Sequence, residues 1–136
     1  MDRPRVLIVE DEASVRMTLE ALLSDTYSVV SVGTAASARW NLVHQEFDVL
    51  ITDYSLPDGN GAELISSMEL SAPELIAIVV TGYPDAPDVR ALRRNSGMVL
   101  GKPYDPEVLL AYVRNAAQFA RLRRARKRLQ GAVGGG

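Results

Sequence analysis

The sequence predicts an α/β fold in which a doubly wound, five-stranded parallel sheet is covered on both faces by helices. Three observations predict it. Short apolar runs alternate strictly with stretches of helical periodicity. The runs are predominantly apolar, as strands covered on both faces are. Four of the five are followed closely by a charged or hydroxyl residue.

Arg5–Val9 (RVLIV) is the first strand, and Ser14–Ser24 a helix with Val15, Leu19, Leu22 and Leu23 on one face. Ser28–Val32 (SVVSV) is the second strand. Thr34 caps a helix reaching about His44, with Ala35, Ala38 and Leu42 inward, Trp40 packed at its base and His44 on its polar side. The third strand, Phe47–Thr52, carries Asp48 as a surface or strand-start residue. It runs into Ser55–Gly61, a loop dense in turn formers. A helix over Ala62–Leu70 precedes the fourth strand, Glu74–Val80. Pro84 and Pro87 bracket a loop, a short helix covers Asp88–Asn95, and Met98–Leu100 is the fifth strand. The last helix opens at Asp105-Pro106, a favourable cap and first-turn pair, and extends to about Leu129. Gly131–Gly136 is expected to be disordered. The division is then a domain over residues 1–121 and a basic helical extension with a glycine-rich tail over residues 122–136.

Composition bounds the chemistry. A chain of 136 residues suits one domain. The absence of cysteine excludes disulfides, thiolate nucleophiles and cysteine-ligated metals, and the single histidine excludes a polyhistidine site. No apolar run approaches a membrane span and no secretory h-region opens the chain, so the expectation is a cytoplasmic protein without membrane insertion. Charge is uneven: Met1–Val113 holds 8 basic against 17 acidic residues, a net of −9, whereas Arg114–Gly136 carries 7 basic residues and no acidic one.

Right-handed crossovers bring the carboxyl ends of all parallel strands to one edge, where ligands bind in open sheets. Glu10, Asp11 and Glu12 follow strand one, Asp53 strand three, Thr81 and Gly82 strand four, and Lys102-Pro103 strand five. Strand two ends without such a residue. Carboxylates crowded together repel unless one is protonated or a cation neutralises them. Mg²⁺, with Mn²⁺ as a substitute, suits an all-oxygen set, and Lys102 offers a second positive charge. A carboxylate can also act as nucleophile towards phosphorus, with Mg²⁺, the ammonium of Lys102 and the hydroxyl of Thr81 compensating the phosphoryl oxygens. Gly82 leaves the space beside the acceptor open. Glu12 is read as a first-turn helix carboxylate favoured by the macrodipole.

Ile8-Val-Glu-Asp-Glu12, Ile51-Thr-Asp-Tyr-Ser-Leu-Pro-Asp-Gly-Asn-Gly61, Val80-Thr-Gly82 and Gly101-Lys-Pro103 together resemble the four signatures of bacterial response-regulator receiver domains, over about Arg5–Arg121. The resemblance implies a flavodoxin-like fold with strand order 2-1-3-4-5. It implies Asp53 as phosphoacceptor, Glu10 and Asp11 as the Mg²⁺-binding acidic pair, and the Ser55 backbone carbonyl as a further metal ligand. Thr81 would bind a phosphoryl oxygen and swing inward on activation, Lys102 would pair with the phosphoryl group, and the peptide before Pro103 would be cis. Its partners would be a sensor histidine kinase or histidine phosphotransfer protein and a downstream protein bound through the face of helix four, strand five and helix five.

Two departures stand out. The acidic pair is Glu-Asp where Asp-Asp is commoner, and the aromatic switch position on strand five holds Val99. Tyr83, two residues after Thr81, is then the aromatic nearest that role. Three other readings compete. A phosphatase with an aspartyl nucleophile needs an acid two positions on, where this chain has Ser55. Binding of DNA by Arg121–Arg128 is disfavoured because no helix-turn-helix accompanies the run. Leu122 and Leu129, seven residues apart on the helix of Leu109, Tyr112, Ala116 and Phe119, favour a solvated end or a homodimer through the final helix.

Overall fold

In the computed structural model, residues 2–94 and 97–134 are described. Five strands, β1 (Arg5–Val9), β2 (Ser28–Val32), β3 (Val49–Asp53), β4 (Ile76–Thr81) and β5 (Met98–Gly101), form one parallel sheet in the order β2-β1-β3-β4-β5. Helices α1 (Ala13–Leu23), α2 (Ala35–His44), α3 (Gly61–Met68), α4 (Pro87–Arg94) and α5 (Pro106–Gly134) connect them and continue the chain. The flavodoxin-like order and the cis Lys102–Pro103 bond are as expected.

Side chains alternate strictly across the sheet, which divides the core into two layers. Val6, Ile8, Val49, Ile51, Ile78 and Val80 pack with Leu19 and Leu23 of α1 and Leu109 and Val113 of α5. Leu7, Val9, Leu50, Ala77 and Val79 face Ala38, Leu64, Ile65, Val89 and Leu92 on the other side. With both faces covered, the strands lack any polar alternation, and the functional residues are confined to the ends.

Local chemistry sets the connections. The hydroxyl of Thr34 accepts from Ser37 N at 3.1 Å, and the Asp58 carboxylate accepts from Ala35 N and Ala36 N at 2.8 and 3.0 Å. These two donors hold the Asp58 carboxyl below its ordinary range. The expected loop Ser55–Gly61 contains a small antiparallel hairpin, Ser55–Leu56 with Gly59–Asn60, and Gly59 turns it at φ 153°. Gly61 starts α3 where a Cβ would lie 2.5 Å from the Asp53 carbonyl oxygen, so only glycine lets the chain pass there. Pro87 heads α4 instead of closing the preceding loop, and the expected end of that helix, Asn95, falls outside the described residues.

Two expectations are overturned, at Trp40 and at the end of the last helix. Trp40 does not pack at the base of α2: it is 59% exposed and stacks on His44, the centroids 4.1 Å apart. The small residues Ala35 and Ala38 form the buried side of α2, leaving no slot for an indole. Asp48 stands immediately before β3, as expected of a strand-start residue, and it accepts from Arg5 N at 2.8 Å and from Arg124 Nε at 3.0 Å. The basic end of α5 is not simply solvated, because it folds against the amino ends of β3 and β4. Arg124 also reaches Glu46 at 3.2 Å and the Phe47 carbonyl at 2.9 Å, and Lys127 meets Glu74 at 2.9 Å. Arg123 donates to the Pro73 carbonyl and Arg121 to that of Asp2. The helix runs on to Gly134, through glycines expected to be disordered, since extending a formed helix costs far less than nucleating one. No helix among the described residues is long and apolar enough to cross a membrane.

Candidate functional site

The carboxyl edge of the sheet gathers the residues that the sequence placed at strand ends. Glu10 leaves β1 buried, with 6% exposure, Asp11 follows it exposed, and Asp53 is the last residue of β3. One carboxylate oxygen from each lies within 4.8 Å of the others. From β5, Lys102 extends its Nζ to 3.0 Å from Asp53 Oδ2, while its backbone N donates to the Thr81 carbonyl at 2.7 Å. Thr81 ends β4 buried, and its Oγ1 accepts from Tyr83 N at 2.8 Å. A Cβ on Gly82 would meet nothing within 4 Å, and Tyr83 is exposed beside it. Val99 is buried opposite Val79, with no aromatic ring at that position. Glu12 stands at the cap position of α1 outside the carboxylate cluster, and its N–H donates to Glu10 Oε1 at 3.1 Å. Pro103 and Tyr104 line, with Val15 and Leu19, a pocket of about 490 Å³ beside the cluster.

The electrostatics follow from this geometry. Burial pushes the Glu10 carboxyl up to about 7; the Glu12 N–H works against the shift and the charge of Asp53 adds to it. Burial works to lower the Lys102 ammonium, but the hydrogen bond and charge of Asp53, with Glu10 beyond, outweigh it and hold that group above its ordinary value. Three carboxylates thus share one ammonium in a half-enclosed site. Crowded oxygen ligands without soft donors fit a hard divalent cation such as Mg²⁺.

Several contacts at this edge escaped sequence reasoning. The Tyr54 hydroxyl donates to Asp88 Oδ2 at 2.8 Å, tying the residue after Asp53 to the first turn of α4; that bond raises the Tyr54 hydroxyl above its ordinary value. Arg16 reaches back from α1 to the Glu10 carbonyl at 2.6 Å. Gly33, after β2, lies against that guanidinium. Both are ordinary helix and loop residues by spacing; only the tertiary approach of β2 to α1 reveals them.

Residues 6–114 match the family described as response regulator receiver domain. The chain is 31% identical over 115 residues to the hydrogenase transcriptional regulatory protein HoxA of Cupriavidus necator, an alignment covering 83% of this chain and 24% of that protein. It is 34% identical over 110 residues to the response regulator protein PilR of Pseudomonas aeruginosa, covering 77% and 24%. The chain therefore spans about a quarter of the length of these regulators. Among solved structures, the signal receiver domain of an HD domain-containing protein from Pseudomonas fluorescens Pf-5 superimposes with a TM-score of 0.82 at 29% identity, covering 93% of this chain and 95% of that one. The CheY-like response regulator receiver domain protein of Methanospirillum hungatei gives 0.81 at 25% identity, covering 90% and 99%. The chain belongs to the response regulator receiver domain family, whose members are signalling domains.

Proposed function

We propose that Asp53 takes a phosphoryl group from a phosphohistidine on a sensor histidine kinase or histidine phosphotransfer protein, and that the change alters binding of a downstream protein. The observation that carries this reading is the pairing of Lys102 Nζ with Asp53 at 3.0 Å beside the Glu10–Asp11–Asp53 cluster. An Asp53 carboxylate oxygen attacks phosphorus, the P–N bond to the donor imidazole breaks, and the imidazole leaves with its electron pair and takes up a proton. Lys102 exchanges its pairing with Asp53 for one with a phosphoryl oxygen. Glu10, Asp11, Asp53 and the Ser55 carbonyl would hold Mg²⁺, which neutralises phosphoryl charge when bound. Gly82 leaves room for the donor to approach, and the exposed Tyr83 ring borders that approach.

Thr81 turning its hydroxyl to the phosphoryl group would strip Tyr83 N of its acceptor and loosen the loop leading into α4. The Tyr54–Asp88 bond gives a second connection to α4, so the signal reaches the α4–β5–α5 face without an aromatic ring at Val99. A homodimer through α5 is a second reading. Phe119, Leu122 and Leu129 are exposed at the spacing of a coiled-coil seam. Concentration-dependent sedimentation, abolished in Leu122→Glu, tests it. DNA binding is less favoured because Arg124 and Lys127 are committed to carboxylates of the same chain.

The decisive experiment is incubation with acetyl phosphate or phosphoramidate and Mg²⁺, followed by intact mass. One phosphoryl group is expected, lost on chelation and in Asp53→Asn. Equal labelling of that variant sinks the assignment of Asp53.

A further inference from the structure

We propose that Arg16 is a positioning residue for the acidic pair, holding the Glu10–Asp11 backbone so that both carboxylates face Asp53, and that Gly33 keeps open the slot its guanidinium occupies. The inference rests on the reading of this edge as a Mg²⁺-dependent phosphoacceptor site.

Three elements meet behind the cluster. Arg16 Nη1 donates to the Glu10 carbonyl at 2.6 Å and approaches the Asp11 carbonyl at 3.5 Å. Glu10 N donates to the Val32 carbonyl at 3.0 Å, anchoring the same loop to the end of β2. Gly33 follows, and a Cβ there would lie 3.3 Å from Arg16 Nη1, 3.9 Å from the Glu10 carbonyl oxygen and 4.0 Å from Asp11 Cα. The end of β2, which offers no polar side chain to the site, thus offers clearance.

This arrangement has a physical task. Three carboxylates within 4.8 Å push one another apart, and Glu10 and Asp11 stand on a short connection that can swing outward. A carbonyl fixed in direction fixes the peptide plane of its residue, and with it the aim of the adjoining side chains. The guanidinium also sets a positive charge behind the loop, which opposes that swing. Groups that orient metal ligands from outside the ligand set commonly change metal affinity by about 10- to 100-fold. Arg16 is placed to do this through main-chain carbonyls.

The test is a titration with Mg²⁺ alone, followed by amide NMR shifts, on the wild type, Arg16→Lys, Arg16→Gln, Gly33→Ala and the Arg16→Gln/Gly33→Ala double variant. Labelling by acetyl phosphate is measured alongside as a function of Mg²⁺. Arg16→Gln is expected to weaken Mg²⁺ about 10-fold, with Arg16→Lys and Gly33→Ala each near 3-fold. The double variant should bind no more weakly than Arg16→Gln, because Gly33 acts through the guanidinium. At saturating Mg²⁺ the labelling rate stays within about twofold, which a general loss of structure would not allow. Wild-type Mg²⁺ affinity in Arg16→Gln overturns the proposal, as does a tenfold loss of saturated rate with affinity unchanged. Should Arg16→Gln not fold, wild-type affinity in both Arg16→Lys and Gly33→Ala overturns it equally. A wild type that binds no Mg²⁺ sinks the site reading itself, whereas equal binding by wild type and variants sinks only the role of Arg16.

Discussion

The two ends of the sheet are both acidic and are resolved in opposite ways. At the carboxyl edge, Glu10, Asp11 and Asp53 share the ammonium of Lys102. At the amino edge, Glu46, Asp48 and Glu74 are met by Arg124 and Lys127, and the Arg124 guanidinium uses all three of its nitrogens on Asp48, Glu46 and the Phe47 carbonyl. The consequences appear in the carboxyls themselves. Glu10 is pushed up to about 7 by burial and by Asp53, while Lys127 holds Glu74 below its ordinary range. A satisfied cluster stabilises the fold. An under-compensated one costs stability and is held in place by the scaffold, leaving attraction for a cation.

The sharpest way to break this contrast is to exchange one carboxylate at each end for its amide. Asp48→Asn leaves the guanidinium of Arg124 poorly compensated in a site where the two side chains are 26% and 14% exposed. Loss of about 2 kcal/mol is expected, or roughly 6–8 °C in Tm, with phosphoryl uptake within about twofold of wild type. Asp53→Asn should do the reverse, losing uptake while remaining within about 1 kcal/mol of wild type, because lost pairing with Lys102 is offset by relieved repulsion. Calorimetry on both variants decides: equal destabilisation would mean that the two edges are energetically alike.

A smaller effect of opposite sign is expected at Glu10. Glu10→Gln keeps an acceptor for Glu12 N but removes a buried charge, so in the presence of a chelator it should stabilise by about 1 kcal/mol. The same variant should lose most of the rise in Tm that Mg²⁺ gives the wild type. A destabilised Glu10→Gln in chelator would show that its carboxylate is already compensated.

The smallest effect belongs to Glu74. Its carboxyl lies below the ordinary value when folded, so its stabilisation is full above the unfolded pKa and is lost as pH falls through the lowered folded one. Lys127 is 70% exposed, so the contribution is under about 1 kcal/mol. Urea unfolding should find Glu74→Gln weaker than wild type at pH 7 and equal to it near pH 3. A constant difference at both pH values would assign the loss to packing instead of charge.

The legibility of the two ends differed for a related reason. Strand ends can be read in order along the chain, and a parallel sheet delivers them to one edge, so Glu10, Asp11, Asp53, Thr81 and Lys102 could be gathered before any coordinates. The base could not be read that way. Arg124 and Asp48 are separated by 76 residues, and neither stands at a position that a periodicity marks. Arg16 and Gly33 meet only because β2 lies beside β1 and α1 crosses above both. Trp40 was misassigned because an apolar side chain on a helix invites burial, whereas the alanines across from it had already filled that role. The hairpin within Ser55–Asn60 is too short for alternation to reveal.

The unbroken length of α5 has a mechanical consequence. Near its start Leu109 and Val113 are locked into the core, and farther along Arg124 and Lys127 are fastened to the base. A rod pinned at two separated points cannot spin about its own axis without breaking one of them. The same two fastenings resist tilt and sliding, so whatever α5 carries keeps its azimuth and its direction unless one of them opens. Spanning about 43 Å at the usual rise, a tilt of about 5° displaces one end against the other by roughly 4 Å.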